Sequence, residues 1–417
     1  MAQLTDDCFA FGGRLLPLAE AQARIAEQFH CVAAPETVPL PSALGRVLAG
    51  DVIASVSIPP QANSAVDGYA LHHADLLPDA PTTLRLSGRA TAGHPLLAPV
   101  PRGAAARIFT GAVMPEGPDT VMMQEDCAAT EDSVTVPPGL RRGANRRPAG
   151  EDIAAGERAL PDGKRLTPPE LGLLAALGHT QVTVRRALRV ALFSTGDEVE
   201  EPGRTLRHGR IYDANRFMIA AMLTTLRVEV SDGGILPDRP EPVRAALTEA
   251  ARDHDLVLTT GGVSSGEEDH VRAAIEAMGS LAFWRVGIKP GRPVALGSLG
   301  GTPLLGLPGN PVAALVTFIT IARPVLDRLA GAVSTPLPRF SVESGFAWRK
   351  KRDRREFLRV LIEDAAGRLR ARVFPKEGAG IITSLTGSDA LAELPEGVTT
   401  VAPGDTLACI PLGLLYG

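Results

Sequence analysis

Apolar residues recur every three or four positions between residues 14 and 30, in the stretch LLPLAEAQARIAEQF. This spacing predicts an amphipathic helix. From about Val38 to Asp152 the chain changes to short β-rich runs, such as VLAGDVIASVSI, ARIFTGAV and TVMMQE, which proline and glycine interrupt. These runs predict a small β domain or domains, with linkers near Pro59 and Pro148.

A stronger alternation of apolar runs and helical patterns follows between residues 186 and 330. ALRVALFS, VEVSDGGIL, DLVLTT and PLLGL predict strands, and helices are predicted over 215–226, 240–252, 269–278 and 311–329. The alternation is typical of βαβ units, and it predicts a doubly wound α/β domain around a parallel sheet. Beyond Pro336, runs such as RFSVESGFAW and EFLRVLIED predict a separate C-terminal β-barrel.

Composition narrows the class of protein. A length of 417 residues allows several domains, and the net charge of −4 provides no overall attraction for nucleic acid or acidic membranes. No apolar run reaches the ~20 residues needed to cross a bilayer. The first residues, MAQLTDDCFAFGG, lack the basic and apolar regions of a secretory signal, and the four cysteines have no CxxC spacing. We therefore expect a cytoplasmic protein that binds neither membranes nor nucleic acid.

Three polar turns directly follow apolar strands of the predicted α/β domain. They are 194–198, which includes Ser194 and Thr195, then 259–269 and 306–311. Because ligands bind at the carboxyl ends of parallel strands, these turns are expected to share one crevice. The middle turn, with Gly261, Gly262 and Ser264, precedes a helix whose free N–H groups favour a phosphate. Glycine-rich turns are also packing devices in most α/β folds, so the motif alone leaves both interpretations open.

Other chemistries fit this turn less well. GVSSG matches the GxSxG nucleophile elbow around Ser264, but the last histidine is His270, too close for the histidine of that triad. The dinucleotide GxGxxG motif, the P-loop and HExxH are absent from the sequence. A serine hydrolase, an NAD enzyme, a standard NTPase and a zinc enzyme are all disfavoured.

Charged residues are concentrated in the same turns. Carboxylates beside a phosphate favour a bridging Mg²⁺, although those at a helix start also complement the helix dipole. The rigid turn IKPGRP presents Lys289 and Arg292 as candidates for binding an oxyanion. The carboxylates are Asp197, Glu198, Glu267, Glu268 and Asp269.

Two motifs in the N-terminal β region, NSAVDGYA at 63–70 and RIFTGA at 107–112, are unusually polar for plain turns. By composition alone an Asx turn and a strand end explain them equally well.

Eight motifs occur together in one order: NSAVDGYA, RIFTGAVMPEG with VMMQED, GANRRPAGEDI, LFSTGDEVEEPG, GRIYDANR, TTGGVSSGEEDHV, FWRVGIKPGRP and GLPGNPVAAL. Together they resemble the molybdopterin molybdenumtransferase family, the bacterial counterpart of the gephyrin E domain. The resemblance runs from about residue 14 to the C-terminus and implies an elongated homodimer with four domains. Their expected bounds are 1–33 plus 185–331 for the α/β molybdopterin-binding domain, 34–55 plus 157–184 for a linking domain, 56–156 for an inserted β-rich domain and 332–417 for the barrel.

The resemblance also implies an activity. The family takes adenylylated molybdopterin and molybdate, releases AMP with the help of Mg²⁺, and leaves molybdenum on the dithiolene of the pterin; molybdopterin adenylyltransferase is the expected substrate donor. The resemblance places functional roles on Asp67, Thr110, Asp152, Glu198, Asp238, Asp269, Lys289, Pro308 and Pro311.

These roles divide by type. Catalytic roles are expected for Asp67, Thr110, Glu198 and Asp269, and Mg²⁺ ligation for Asp238, Asp269 and Glu198. The expected substrate-binding residues are Asp152, Ser194, Thr195, Gly261, Gly262, Ser264, Lys289, Arg292, Pro308 and Pro311. Glu198, Asp269 and Lys289 are also reached by the crevice argument, whereas Asp152, Asp238 and the two prolines rest on the resemblance alone. Asp269→Ala is expected to abolish cofactor formation without disturbing the fold.

The sequence departs from the family pattern at three places. Val66 stands where Met is frequent, Arg292 where Lys is frequent, and a serine-containing loop of the barrel is replaced by Gly378-Ala379-Gly380. Ser384 or Thr383 substitutes for the lost hydroxyl, or molybdate is held less tightly, or this copy is specialised. Two other functions remain open: an adenylyltransferase of the sibling family, which the inserted domain and the barrel disfavour, and a non-catalytic pterin-binding scaffold.

Overall fold

The computed structural model describes residues 15–263, 270–365 and 367–415. The helix predicted at the start of the chain spans Leu18–Gln28 and buries Leu18, Ala21 and Ile25, one face of the predicted amphipathic pattern. The other helices are Pro168–Ala176, Asn215–Thr225, Pro240–Asp253, His270–Met278, Pro311–Thr317, Arg323–Leu329 and Thr383–Thr386, and a π-helical turn, Phe318–Ala322, joins the two helices around it.

A six-stranded sheet forms the centre of the α/β domain. In spatial order its strands are Glu229–Leu236, Arg189–Thr195, Leu256–Thr260, Thr302–Leu307, Ala295–Leu299 and Ser280–Trp284. The first four strands run parallel, as predicted. The last two are antiparallel to their neighbours, so the prediction of a purely parallel sheet was wrong at this edge. The cause is a hairpin, in which Gly300 and Gly301 adopt the positive φ angles of a tight turn.

Helices cover both faces of this sheet. On one face Ile219 and Phe318 pack with Leu192 in a large apolar cluster. On the other face Leu247 and Val271 pack with strand residues such as Val257. The doubly wound α/β architecture is therefore confirmed. Within the described residues, no helix is both long and apolar enough to span a bilayer.

A second six-stranded sheet lies in residues 56–156, which we call the inserted segment. Its strands, in spatial order, are Thr120–Met123, Gly68–Leu71, Ala104–Ile108, Thr82–Ala90, Ser133–Val136 and Ala128–Ala129. The two-stranded pairs of the N-terminal half are Pro35–Pro39 with Gln181–Arg185, Val52–Ile53 with Arg158–Leu160, and Asn63–Ser64 with Arg146–Arg147. The first two pairs join chain segments from either side of the inserted segment. The predicted domain bounds stay a prediction.

The C-terminal region forms a closed barrel, as predicted. Each of its five strands pairs with two others in a ring, in the spatial order Arg355–Ala365, Arg368–Val373, Phe340–Ser344, Thr406–Pro411 and Ala390–Leu394. A short strand of the α/β domain, Ile288–Lys289, pairs with the start of the first barrel strand. The other short pairs are Val199–Glu200 with Ile211–Tyr212, and Trp348–Arg349 with Thr400–Val401. The barrel is thus connected by backbone hydrogen bonds to the turn that carries Lys289.

Candidate functional site

A cleft of about 620 Å³ opens at the carboxyl ends of the parallel strands, and we call it the strand-end cleft. It brings together the turns that the sequence predicted would meet. The predicted site residues that line it are Ser194, Thr195, Glu198, Asp238, Gly261, Gly262, Pro308 and Pro311. Because four turns far apart in the sequence converge here, the crevice expected from the strand pattern exists.

Two glycines shape the floor of this cleft. A Cβ on Gly196 would lie 2.5 Å from a carboxylate oxygen of Glu198, and a Cβ on Gly261 would lie 2.7 Å from the backbone oxygen of Thr195. Both glycines also have positive φ angles. A side chain at Gly261 would push its turn away from Thr195, and one at Gly196 would displace the Glu198 carboxylate, so both positions require glycine.

Carboxylates stand on one side of the strand-end cleft. Glu198 is exposed and Asp238 is half-buried. Asp238 is fixed by a reciprocal pair of hydrogen bonds, in which the Asp197 N–H donates to Asp238 Oδ2 at 2.9 Å and the Asp238 N–H donates to Asp197 Oδ1 at 3.3 Å. Among the described residues no group of three metal-binding side chains is preassembled. Two hard carboxylates facing an open cleft fit Mg²⁺, which typically uses one or two carboxylates together with substrate phosphates.

The wall of the cleft is fixed by residues that were missed as site residues from the sequence. Asn215 donates from Nδ2 to the backbone oxygen of Gly309 at 2.7 Å, which joins two of the turns. Arg216, which is only 4% exposed, binds Asp213 at 2.9 Å and both carboxylate oxygens of Glu201, and also bonds to Asp232. The GRIYDANR motif was the available signal, since it places Asp, Asn and Arg at a helix start.

A second cleft, of about 270 Å³, adjoins the first and shares Pro293 and Pro308 with it. We call it the basic cleft, because five cationic side chains line it beside two acidic ones. The cations are Lys289, Arg292, Arg354, Arg359 and Lys376, and the acids are Glu356 and Glu377. The predicted oxyanion-binding turn therefore lies next to the strand-end cleft, on the side that faces the barrel.

Lys289 does not act alone in the basic cleft. Its Nζ lies 2.6 Å from Oε1 of Glu356, whose side chain is 3% exposed, whereas the Lys289 side chain is 52% exposed. The ion pair orients the lysine and leaves part of its ammonium open to the cleft. A buried acid thus holds the predicted cation in place.

Arg359 is a candidate that was missed from the sequence. It is 9% exposed and donates from Nε to Ser384 Oγ and from a terminal nitrogen to Gly378 O, both at 3.1 Å. Burial lowers the pKa of Arg359, and the charges of Glu377 and Glu356 only partly compensate. No described carboxylate is hydrogen-bonded to it, so this cation of the basic cleft has no bonded counter-charge among the described residues. The signal was an arginine in the centre of the apolar run EFLRVLI.

The barrel loop Gly378-Ala379-Gly380 completes the wall between the clefts. Ala379 accepts a hydrogen bond from the N–H of Val312 at 3.0 Å, so the loop contacts the helix that follows Pro311. Of the open alternatives for the lost hydroxyl, replacement by Ser384 is disfavoured. Ser384 is fully buried, and its hydroxyl donates to Ile381 O. Thr383 is exposed but is not among the residues that line either cleft.

The inserted segment carries a second group of predicted residues. The Thr110 N–H and hydroxyl both donate to Oδ1 of Asp67 at 2.8 Å. These bonds, the backbone one first, lower the pKa of Asp67, and the charge of Arg107 adds to the effect. Asp152 is exposed, and its N–H donates to Ile58 O at 2.9 Å. No described residue of the inserted segment lines either cleft.

Two predicted residues, Ser264 and Asp269, lie outside the described residues, as does most of the turn before helix His270–Met278. Their predicted roles in phosphate binding and metal ligation stay predictions.

Comparisons with known proteins agree with this arrangement. Three family models match in order: "MoeA N-terminal region (domain I and II)" over residues 16–178, "Probable molybdopterin binding domain" over 191–328, and "MoeA C-terminal region (domain IV)" over 341–412. The last two matches include all the residues that line the two clefts.

Relatives also match over nearly the whole chain. The molybdopterin molybdenumtransferase of Haemophilus influenzae is 37% identical over 97% of this chain and 100% of its own. Molybdopterin molybdenumtransferase 2 of Mycobacterium tuberculosis is 34% identical over 93% and 97%. A crystal structure of the molybdopterin biosynthesis moeA protein from Pyrococcus horikoshii is similar with a TM-score of 0.81 and 29% identity, covering 95% of this chain and 99% of that one. The chain belongs to the molybdopterin molybdenumtransferase family.

Proposed function

We propose that this protein inserts molybdenum from molybdate into adenylylated molybdopterin, with release of AMP, in the cytoplasm. The proposal rests above all on one observation: a cleft lined by glycines, hydroxyls and carboxylates adjoins a cleft lined by five cations. The first has the character of a site for a phosphate-bearing pterin. The second has the character of a site for a small oxyanion.

The two clefts bind different ligands in this proposal. The turns of the strand-end cleft hold the pterin and its phosphates through the Thr195 hydroxyl and the Gly262 backbone, and Gly261, which has no side chain, lets the substrate approach closely. In the basic cleft Lys289, Arg292 and Arg359 hold molybdate. The shared wall at Pro293 and Pro308 keeps the two ligands adjacent, which raises the effective concentration of one at the other.

Mg²⁺ is the proposed cofactor, and Glu198, Asp238 and Asp269 are its proposed ligands. When bound, it supplies charge neutralisation for the phosphates as the anhydride is cleaved. Asp197 keeps the Asp238 carboxylate in position through the reciprocal hydrogen bonds. No protein sulfur ligand is needed, since the dithiolene of the substrate supplies the sulfur for molybdenum.

We further propose a homodimer in which the inserted segment of one subunit covers the strand-end cleft of the other. Asp67 and Thr110 form a tight hydrogen-bonded pair, yet neither lines a cleft of its own chain. A symmetric partner would supply them. Molybdopterin adenylyltransferase remains the proposed substrate donor.

The test is molybdate-dependent release of AMP from adenylylated molybdopterin. We expect release by the wild-type protein, and its loss on Mg²⁺ chelation. Glu198→Gln is expected to lower the rate by roughly 100-fold or more, the scale at which a single charge-stabilising group acts. Glu249→Gln, on the exposed face of helix Pro240–Asp253, is the matched control and is expected to behave as wild type.

Other outcomes would contradict the proposal. Formation of an adenylate from molybdopterin and ATP would identify the sibling adenylyltransferase activity instead. Tight pterin binding without any AMP release would favour the scaffold alternative.

A further inference from the structure

The face of the inserted segment next to Asp67 carries a row of charged and aromatic side chains. In the sheet register Arg107 stands opposite Tyr69 on one side and opposite Arg89 on the other. Phe109 follows Arg107 by two residues and precedes Thr110 in the chain. Cross-strand partners share a face of a sheet, so this row lies on one face.

The two arginines differ in how they are held. Arg107 donates to Gly68 O at 3.0 Å and to the side-chain oxygen of Gln124, and its guanidinium carbon lies 4.5 Å from the centroid of the Phe109 ring. The guanidinium carbon of Arg89 lies 4.7 Å from the same centroid. Arg89 is exposed, and no described residue hydrogen-bonds or ion-pairs with its guanidinium. The ring therefore fixes a guanidinium whose donors remain open.

The local charge favours an anion. Two acids lie near Arg107: Asp67, of which Thr110 already occupies one carboxylate oxygen, and Glu125, which is hydrogen-bonded to the Gln124 side chain that Arg107 binds. Neither is bonded to Arg89. The guanidiniums of Arg89 and Arg107 lie beside the same ring and repel each other. An anion bound on their solvent-exposed side would reduce that repulsion. A planar guanidinium held by an aromatic ring presents a fork of donors that matches a phosphate.

We propose that Arg89, supported by Phe109, forms a phosphate-binding site on the inserted segment. This site binds the adenylate phosphate of the substrate that lies in the strand-end cleft of the partner subunit. The inference rests on the proposed function, since Asp67 and Thr110 are placed at the same substrate. It assigns the inserted segment a binding role in addition to the chemistry proposed for that pair.

Arg89→Gln tests the site, with Arg85→Gln as the matched control. Arg85 is an exposed arginine four residues earlier in the same strand, roughly 13 Å away at the usual strand rise. Three measurements are made on each variant: the melting temperature, the dissociation constants of AMP and of inorganic phosphate by calorimetry, and the KM and kcat of molybdate-dependent AMP release.

We expect Arg89→Gln to raise the KM for adenylylated molybdopterin and the Kd for AMP about tenfold, the usual effect of removing one charge-assisted hydrogen bond, with kcat nearly unchanged. Arg85→Gln is expected to match wild type. Equal behaviour of the two variants overturns the site. Weaker binding of inorganic phosphate with an unchanged KM overturns the assignment to the substrate.

Failure of the proposed function would give a different experimental result from failure of the Arg89 site. If the wild-type protein releases no AMP at all, the proposed reaction fails. The binding of AMP and phosphate then still decides whether Arg89 belongs to an anion site.

Discussion

Arg359 in the basic cleft is a buried cation whose position suits the binding of an anionic ligand. Arg359 is almost fully enclosed, yet the described groups that bond to it are a hydroxyl and a backbone carbonyl. A buried cation without a bonded counter-charge is costly, and its pKa is lowered by burial accordingly. Such a cost is usually tolerated where a ligand supplies the missing negative charge.

Arg359→Met is therefore expected to weaken molybdate binding about tenfold or more, since a charge-assisted contact to the oxyanion is lost. The KM for adenylylated molybdopterin should change little, because Arg359 does not line the strand-end cleft. The measurement is the rate of AMP release as a function of molybdate concentration.

Arg349→Met, at an exposed position on the barrel, is the control for that experiment and should match wild type. An unchanged molybdate dependence in a folded Arg359→Met variant would remove this arginine from the oxyanion site.

At the scale of elements, helix Pro168–Ala176 illustrates how a local signal fixes a boundary. It begins with a capping box, in which the Thr167 N–H donates to Glu170 Oε2 at 2.9 Å, and Lys164 lies 2.9 Å from the other carboxylate oxygen. Burial alone would raise the pKa of Glu170, but the hydrogen bonds from Thr167 and Lys164 outweigh it and lower the pKa to about 2.

This depressed pKa predicts a pH-dependent stability. Glu170→Gln is expected to cost about 1 kcal/mol of unfolding free energy at pH 7, as loss of a cap usually does. The stabilisation by Glu170 is complete above its ordinary pKa of 4.5 and is lost as the pH falls towards about 2. The difference in melting temperature between variant and wild type should therefore be largest at pH 7 and much smaller at pH 3.

Glu27→Gln, on an exposed face of helix Leu18–Gln28, serves as the control and should shift the melting temperature little at either pH. A Glu170→Gln effect that is the same at both pH values would argue against a charge-dependent cap.

The helices and strands of the α/β domain differ in how well the sequence predicts them. The helix at 215–226 was predicted to within one residue, because its apolar positions follow the helical period and an Asp-Ala-Asn start precedes it. The direction of strand Ala295–Leu299 was not predicted, because an apolar run has the same pattern in either direction. Only its pairing with Thr302–Leu307 across the Gly300-Gly301 turn determines it.

The same limit applies to the site. Glu198 could be found because it lies in a turn after a strand, and Lys289 because it lies at the end of a short strand, where ligands are expected. Arg359 lies inside a barrel strand, and only the position of the barrel relative to the α/β domain turns it towards a cleft. Long-range placement of this kind leaves no local trace in the sequence.

At the scale of the whole molecule, the predicted catalytic residues divide between two regions of the chain. If a partner's inserted segment covers each strand-end cleft, Asp67 and Glu198 of one active site come from different subunits. Mixing inactive Asp67→Asn and Glu198→Gln chains should then restore about a quarter of wild-type AMP release, since half of the dimers are mixed and each holds one intact site.

The matched control pairs Glu198→Gln with Asp238→Asn, which lie in the same cleft. Every mixed dimer then has a defect in both sites, so no activity should return. Absence of recovery with the first pair, when native mass spectrometry shows that subunits exchange, would contradict a shared site.

The strand pairing between Ile288–Lys289 and Arg355–Glu356 has a mechanical consequence. The lysine and its buried acid are adjacent across a single ladder, so a rotation of the barrel about this ladder keeps their separation. The same rotation would change the distances from Arg359 and the loop at Gly378 to Pro293 and Pro308, the two residues that line both clefts. In the proposed mechanism, a rotation of this kind would widen or narrow the basic cleft while the Lys289–Glu356 ion pair stays intact.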